Sequence, residues 1–144
     1  MSKILLCVTL VCVLGYSYIP KLNINKELKP YYNWYKVLAE KNCAPEKYNH
    51  PRVFDIVFAD LNYPTIGICS FNYFGSFKIQ IDRSYWKYAS PEKKLSLLAH
   101  ENTHCWFSVE HVSDPHNYMA PVISFLSEEE LTKQVNTFMK EKCK

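Results

Sequence analysis

The stretch that decides the fold is His100-Glu101-Asn102-Thr103-His104. On an α-helix, residues four positions apart lie on one face, about one turn from each other. The imidazoles of His100 and His104 can therefore converge on a single metal ion. Glu101, about a quarter turn round the helix, can reach a water molecule held on the same ion and act as a general base. The spacing predicts a helix that supplies two zinc ligands and a base for hydrolysis.

A catalytic zinc site has three protein ligands, so a third is needed. His111 is the nearest candidate, provided that the helix ends before it and the chain doubles back. His116 is the rival third ligand, and we favour His111 over it. Asp114 and Glu110 are weaker oxygen-ligand candidates.

The residues beyond His111 extend the pattern. Asp114 and Pro115 follow it, Met119 stands eight residues after it, and Pro121 comes two residues later. This resembles the metzincin clan of zinc endopeptidases, whose motif His-Glu-x-x-His-x-x-Gly-x-x-His is followed by a methionine turn under the metal. The matrixin branch is the most similar after the third histidine. The resemblance implies one zinc ion per chain and a peptide-bond hydrolase with Glu101 as the base. It also implies that Met119 forms a hydrophobic floor under the metal.

The match departs from the metzincin motif in two ways. His111 lies eleven residues after His100, one more than in the motif, and no glycine stands where the chain must turn, near Phe107 or Ser108. Glycine adopts a positive φ without strain, whereas the same conformation at Ser108 would cost about 1 kcal/mol of free energy. The longer spacing also resembles small metallopeptidase-like proteins of bacteriophages, and that resemblance covers roughly residues 52 to 121. Its further residues here are Ile79-Gln80-Ile81-Asp82, Trp86 and His104-Cys105.

Length and composition limit the other possibilities. The chain has 144 residues, of which 48% are hydrophobic and 15% aromatic, enough for one globular domain with a packed core. The net charge of +3 is spread along the sequence, without the basic and aromatic runs of a nucleic-acid groove. We therefore expect a peptide or protein substrate, no nucleic-acid partner, and a monomer.

The first 17 residues predict export. An apolar run from Ile4 to Leu14 follows Lys3, and the small residues Gly15 and Ser17 fit a signal-peptide cleavage site after Ser17. An uncleaved membrane anchor is the alternative, although the run is short for the roughly 20 residues of a span. The chain thus divides into a signal peptide or anchor, 1–17, and a single metallopeptidase-like domain, 18–144. That domain would be secreted, periplasmic or at the cell surface.

Four cysteines lie beyond the predicted cleavage site: Cys43, Cys69, Cys105 and Cys143. An even number in a small exported domain favours two disulfides, and four cysteines permit three pairings. We favour Cys69 with Cys105, which ties a strand to the central helix. We likewise favour Cys43 with Cys143, which ties the two terminal helices. In a reducing cytosol all four would be buried thiols.

Apolar periodicity predicts an α+β domain. Helices are expected from residue 28 to Asn42, from the Ser90 cap with Pro91 at the first position, and after a Ser127 cap. Strands are expected at residues 52–58, 66–73 and 77–81, the second weakened by Gly67. We expect residues 21–27 to form a polar lead-in and His50 to be a solvated loop histidine. Gly75 is expected at the turn between two strands.

The metzincin resemblance adds an arrangement to these elements. It implies a zincin-like fold with a small mixed sheet packed on the active-site helix and helices at both ends. A substrate would lie along the edge strand near residues 68–73 as an added strand. Side chains around residues 121–125 would line a specificity pocket. Leu97 and Phe107 share the histidine side of the helix, so we expect them to line the cleft.

Two other functions are compatible with the sequence. One is a catalytically silent zinc-binding protein, whose metal serves stability or partner docking. The other is a membrane-anchored interaction domain whose histidines bind no metal. Metal content per chain distinguishes the zinc-binding protein from the domain that binds no metal. An assay of peptide hydrolysis distinguishes a silent zinc-binding protein from an enzyme.

Overall fold

The computed structural model describes residues 21–48, 53–72, 76–123 and 126–144. Predictions for the signal or anchor segment, His50, the turn at Gly75 and Phe125 lie outside these residues. Within them, no helix is both long enough and apolar enough to cross a bilayer.

Four strands form one mixed sheet in the order β1-β2-β4-β3. They are β1 Lys21–Ile24, β2 Val53–Ala59, β3 Gly67–Phe71 and β4 Phe77–Asp82. β1, β2 and β4 run parallel, and β3 runs antiparallel to β4. The three strands predicted before the central helix are confirmed, as is β3 as an outer strand of the sheet.

The first strand corrects a prediction, because residues 21–24 are not part of a polar lead-in. They pair in parallel with β2, with Leu22 opposite Phe54 and Ile24 opposite Ile56. The Leu22 side chain is 56% exposed and Ile24 is only half-buried. Backbone hydrogen bonds at a sheet edge hold this strand, and the pattern of apolar residues in the sequence does not reveal such bonds.

The described residues form four α-helices: α1 Lys29–Asn42, α2 Arg83–Tyr88, α3 Pro91–Phe107 and α4 Glu128–Lys142. The three predicted helices are confirmed. The N-caps of α3 and α4 are those expected, since the Ser90 and Ser127 hydroxyls accept bonds from backbone N–H groups three residues later. The short α2 was not predicted. Its cap is Asp82, whose carboxylate accepts a bond from the Tyr85 N–H.

The central helix α3 packs between two layers. One side contacts β3 and β4, and the other contacts α1 and α4. Trp106, only 4% exposed, anchors the helical side against α1 and the turn after it. Its ring stacks on Tyr48 at 4.8 Å between centroids and meets Tyr35 edge-on at 5.9 Å. This packing fixes the helix that carries the histidine motif.

Two disulfides confirm the favoured pairings. Cys69–Cys105 joins the outer strand β3 to α3, and Cys43–Cys143 joins the ends of α1 and α4. Disulfides form and persist in oxidising compartments and are rare in the cytosol. The pairings therefore indicate an oxidising environment of the kind that exported proteins meet.

Candidate metal centre

The end of α3 brings the third histidine back to the first two. The helix stops at Phe107 because Ser108 takes the left-handed conformation, with φ 51° and ψ 46°, while its N–H still donates to the His104 carbonyl. The chain then reverses and carries His111 to the helix face that holds His100. The turn was expected near Phe107 or Ser108, and Ser108 makes it, although its conformation is one that favours glycine.

Three imidazoles meet at one point. The Nε2 atom of His100 lies 3.0 Å from that of His104 and 3.1 Å from that of His111. The possible ligand atoms of the three residues all lie within 4.8 Å of one another. Two nitrogens bound to a tetrahedral zinc ion at 2.0–2.1 Å would be roughly 3.3 Å apart. The group therefore fits a small divalent cation.

Hydrogen bonds on the far side of two rings fix their tautomers. The Nδ1–H of His100 donates to the Tyr118 carbonyl at 2.8 Å, and that of His104 donates to the Val109 carbonyl at 2.6 Å. When these rings are neutral, both Nε2 atoms carry lone pairs and neither can donate to the other. Two facing lone pairs at 3.0 Å repel each other, whereas a cation between them is attracted to both. Carbonyl acceptors of this kind are the usual outer support of a metal-binding histidine.

Burial favours the neutral form that a ligand requires. Removal from water lowers the pKa of His100 to about 4, against the opposing effect of the Tyr118 carbonyl. Burial likewise lowers the pKa of His104. Neutral imidazole is the metal-binding form, so these two rings need to lose no proton at pH 7.

Glu101 lies beside the histidine group and is buried about as deeply as His100. It is 5% exposed, and its carboxylate accepts a bond from the backbone N–H of Cys69 in β3. Burial raises the pKa of this carboxyl to about 8. A nearby cation would favour the ionised form and lower that pKa.

Two adjoining cavities share Gly67, His100, Glu101 and His111. One, of about 350 Å³, extends along β3 towards Phe71. The other, of about 520 Å³, is bounded by residues 63–67 and 121–123. The two together form an open groove that passes the histidine group. The structure thus places Pro121, Val122 and Ile123 of the predicted pocket segment at this groove.

The cleft has apolar walls, but the prediction that Leu97 and Phe107 form them is wrong. Leu97 is completely buried, and Phe107 packs edge-on against Phe138 with a centroid distance of 5.3 Å. Helices α1 and α4 pack on α3, and Leu97 lies in the hydrophobic core while Phe107 packs against it. β3 instead supplies the apolar side chains Ile68 and Phe71 that line the groove.

The other predicted ligands lie outside the histidine group. His116 is exposed, its N–H donates to Asp114 Oδ1 at 2.9 Å, and its carbonyl accepts a bond from Gln134. Asp114 and Glu110 are also exposed, and neither belongs to the group that could bind a metal. Among the described residues, that group consists of His100, His104 and His111.

Met119 lies in the turn that supports His100. It is 2% exposed, and its carbonyl accepts a bond from the Val112 N–H at 3.0 Å. The preceding residue, Tyr118, supplies the carbonyl that orients His100. The role of Met119 as a floor under a metal stays a prediction.

A buried hydroxyl network behind the histidines was not predicted. Thr103, which is fully buried, donates to the Ala99 carbonyl at 2.8 Å. Its oxygen can then accept from the hydroxyls of Tyr35, at 2.8 Å, and Tyr118, at 3.2 Å. The network connects α1, α3 and the turn that holds His100. Tyr35 lies 68 positions before Thr103, and Tyr118 lies 15 positions after it. No sequence pattern pairs residues at these separations, so the sequence did not predict the network.

No protein family model matches this chain, and no curated protein or solved structure does so either.

Proposed function

We propose that this protein is a zinc-dependent endopeptidase. The observation that carries the proposal is the convergence of three histidine Nε2 atoms in the same groove as a buried glutamate. His100, His104 and His111 would hold the ion, and Glu101 would be the general base. Three neutral imidazoles leave the charge of a zinc ion undiminished, which suits hydrolysis better than a thiolate-rich structural site does.

A bound zinc ion would supply Lewis acidity, polarising a peptide carbonyl and lowering the pKa of coordinated water to about 7. Glu101 would accept the proton of the attacking water and return it to the leaving amine. The Cys69 N–H would hold the carboxylate in position between these two proton transfers. The carbonyls of Tyr118 and Val109 would keep the His100 and His104 rings in their ligand orientation.

The outer strand β3 supports a peptide as the substrate. It pairs with β4 on one side, and it lines the groove beside the histidines. An extended peptide could lie along its outer side as an added strand, which is a general mode of peptide recognition. Apolar side chains at Ile68 and Phe71, 39% and 51% exposed, would contact such a peptide.

The proposal includes a metzincin-like fold. Its support is the combination of a parallel sheet with one antiparallel outer strand, a histidine-bearing helix packed on it, and a turn containing Met119. Secretion belongs to the same proposal, and the two disulfides favour it.

The test begins with metal content per chain in protein purified without added metal. The native protein should contain one zinc ion, His111→Ala should lose it, and His116→Ala should keep it as the matched control. A peptide-library digest then compares the native protein with Glu101→Gln. We expect cleavage by the native protein and a loss of at least a hundredfold in Glu101→Gln with zinc retained.

The outcomes separate the possible functions. Zinc without cleavage would leave a catalytically silent zinc-binding protein. Absence of stoichiometric metal in the native protein would refute the enzyme and the zinc site together.

A further inference from the structure

Gly67, the first residue of β3, lies against the side chain of Glu101. A Cβ atom at residue 67 would stand 2.5 Å from Glu101 Oε1 and 2.9 Å from both Cδ and Cγ. Cβ atoms essentially never lie closer than 3.0 Å to such atoms, and the overlap includes the middle of the side chain as well as its end. Any residue other than glycine would therefore require either the Glu101 side chain or the backbone of β3 to shift.

Backbone freedom is not the reason for glycine at this position. Gly67 is an ordinary strand residue, paired with Ile81 of β4, and its φ lies outside the left-handed region. An alanine could adopt the same backbone conformation. The space normally filled by a side chain is what Glu101 requires.

The strand and the helix cannot easily move apart to make room. The Cys69 N–H, two residues along β3, donates to the Glu101 carboxylate. Cys69 is also linked to Cys105, which stands one helical turn after Glu101 on α3. The disulfide and the hydrogen bond thus hold β3 against the helix on the side where Glu101 projects. An added methyl group would act on the glutamate side chain before it could separate the two elements.

We propose that Gly67 is a positioning residue, whose missing side chain provides the space that fixes the carboxylate of Glu101 beside the three histidines. This inference rests on the proposed function for its catalytic meaning. The contact itself can be tested without any assay of activity. Gly67→Ala should leave the histidines unchanged and displace the base.

The experiment is a double-mutant cycle in thermal stability, with the native protein, Gly67→Ala, Glu101→Ala and the double variant. Glu101→Ala removes every atom that the new Cβ would overlap. In that background, Gly67→Ala should raise the melting temperature slightly, because alanine restricts the unfolded chain more than glycine does. In the native background, the same change should lower the melting temperature by several degrees. Ser70→Ala on the same strand is the control and should shift both backgrounds equally.

Folding failure would still be informative. If Gly67→Ala does not fold, recovery of folding in the double variant supports the contact. An equal effect of Gly67→Ala in both backgrounds, or failure of the double variant to fold, would overturn the inference.

Zinc content and kinetics complete the test. We expect zinc to be retained in Gly67→Ala, with kcat reduced about a hundredfold and KM changed far less, since misplacing a reacting group by about 1 Å has an effect of that size. Undiminished kcat in a folded Gly67→Ala protein would refute the positioning role. If the native protein cleaves no peptide, the proposed function fails, while the stability cycle still decides whether Gly67 positions Glu101.

Discussion

Replacing Thr103 by valine should destabilise the protein far more than loss of one hydroxyl group suggests. The Thr103 oxygen is the shared acceptor for Tyr35 and Tyr118, whose side chains are 0% and 1% exposed. Burial raises the pKa of both tyrosines above the ordinary value, so both hydroxyls remain protonated donors at neutral pH. In Thr103→Val, two buried hydroxyls lose this partner.

The expected loss of stability depends on whether a buried hydroxyl is left without a partner or is itself removed. Leaving a buried polar group unsatisfied costs about 1–3 kcal/mol, so two such groups cost roughly 2–6 kcal/mol. Tyr118→Phe removes a donor and leaves Thr103 bonded to Tyr35, and we expect a loss of about 0.5–1.5 kcal/mol. A typical domain has a stability of only about 5–15 kcal/mol, so Thr103→Val should remove a large fraction of it.

Urea unfolding at pH 7 measures these differences. A triple variant, with Tyr35→Phe, Thr103→Val and Tyr118→Phe, contains no orphaned hydroxyl and should be more stable than Thr103→Val alone. The reasoning would be refuted if Thr103→Val lost no more stability than Tyr118→Phe, or if the triple variant were the least stable of the three.

Three further predictions use other parts of the molecule. Ser108→Gly should raise the free energy of unfolding by up to about 1 kcal/mol in urea, because residue 108 has a positive φ; a decrease would contradict this. The paired change Cys69→Ser and Cys105→Ser should lower the free energy of unfolding by roughly 3–4 kcal/mol, since the bridge closes a 36-residue loop; an unchanged urea midpoint would contradict it. The Ser84 hydroxyl and the backbone N–H groups of Tyr85 and Leu61 lower the pKa of Asp82, so its stabilisation is complete above about pH 4 and is lost as the pH falls through the lower folded-state pKa. Asp82→Asn should therefore weaken the dependence of the free energy of unfolding on pH in acid, and an unchanged dependence would count against this.

The central helix and its histidines could be predicted from local chemistry. A serine cap, a proline at the first helical position and the spacing of His100 and His104 are all signals within one short segment. The third histidine depended on a turn, which the sequence placed near Phe107 or Ser108 without deciding between them, and the structure has it at Ser108. Both disulfides were predicted as well, because few pairings were possible.

The parts that could not be predicted depend on contacts between distant segments. β1 is held by backbone bonds at a sheet edge, and α2 is too short for helical periodicity to reveal. Gly67 was interpreted as a weakness in a strand, whereas its importance lies in its distance from Glu101. A sequence records that glycine has no side chain but not which atoms fill the space.

The two disulfides also determine what a single break in the backbone would do. A cut at any peptide bond between Cys43 and Cys143 leaves two pieces that are still joined, and a cut between Cys69 and Cys105 leaves them joined twice. Nicked molecules would therefore run as one species in non-reducing electrophoresis and separate only after reduction. If the proposed peptidase activity is confirmed, a first cleavage of one copy by another in this region would leave the molecule covalently whole.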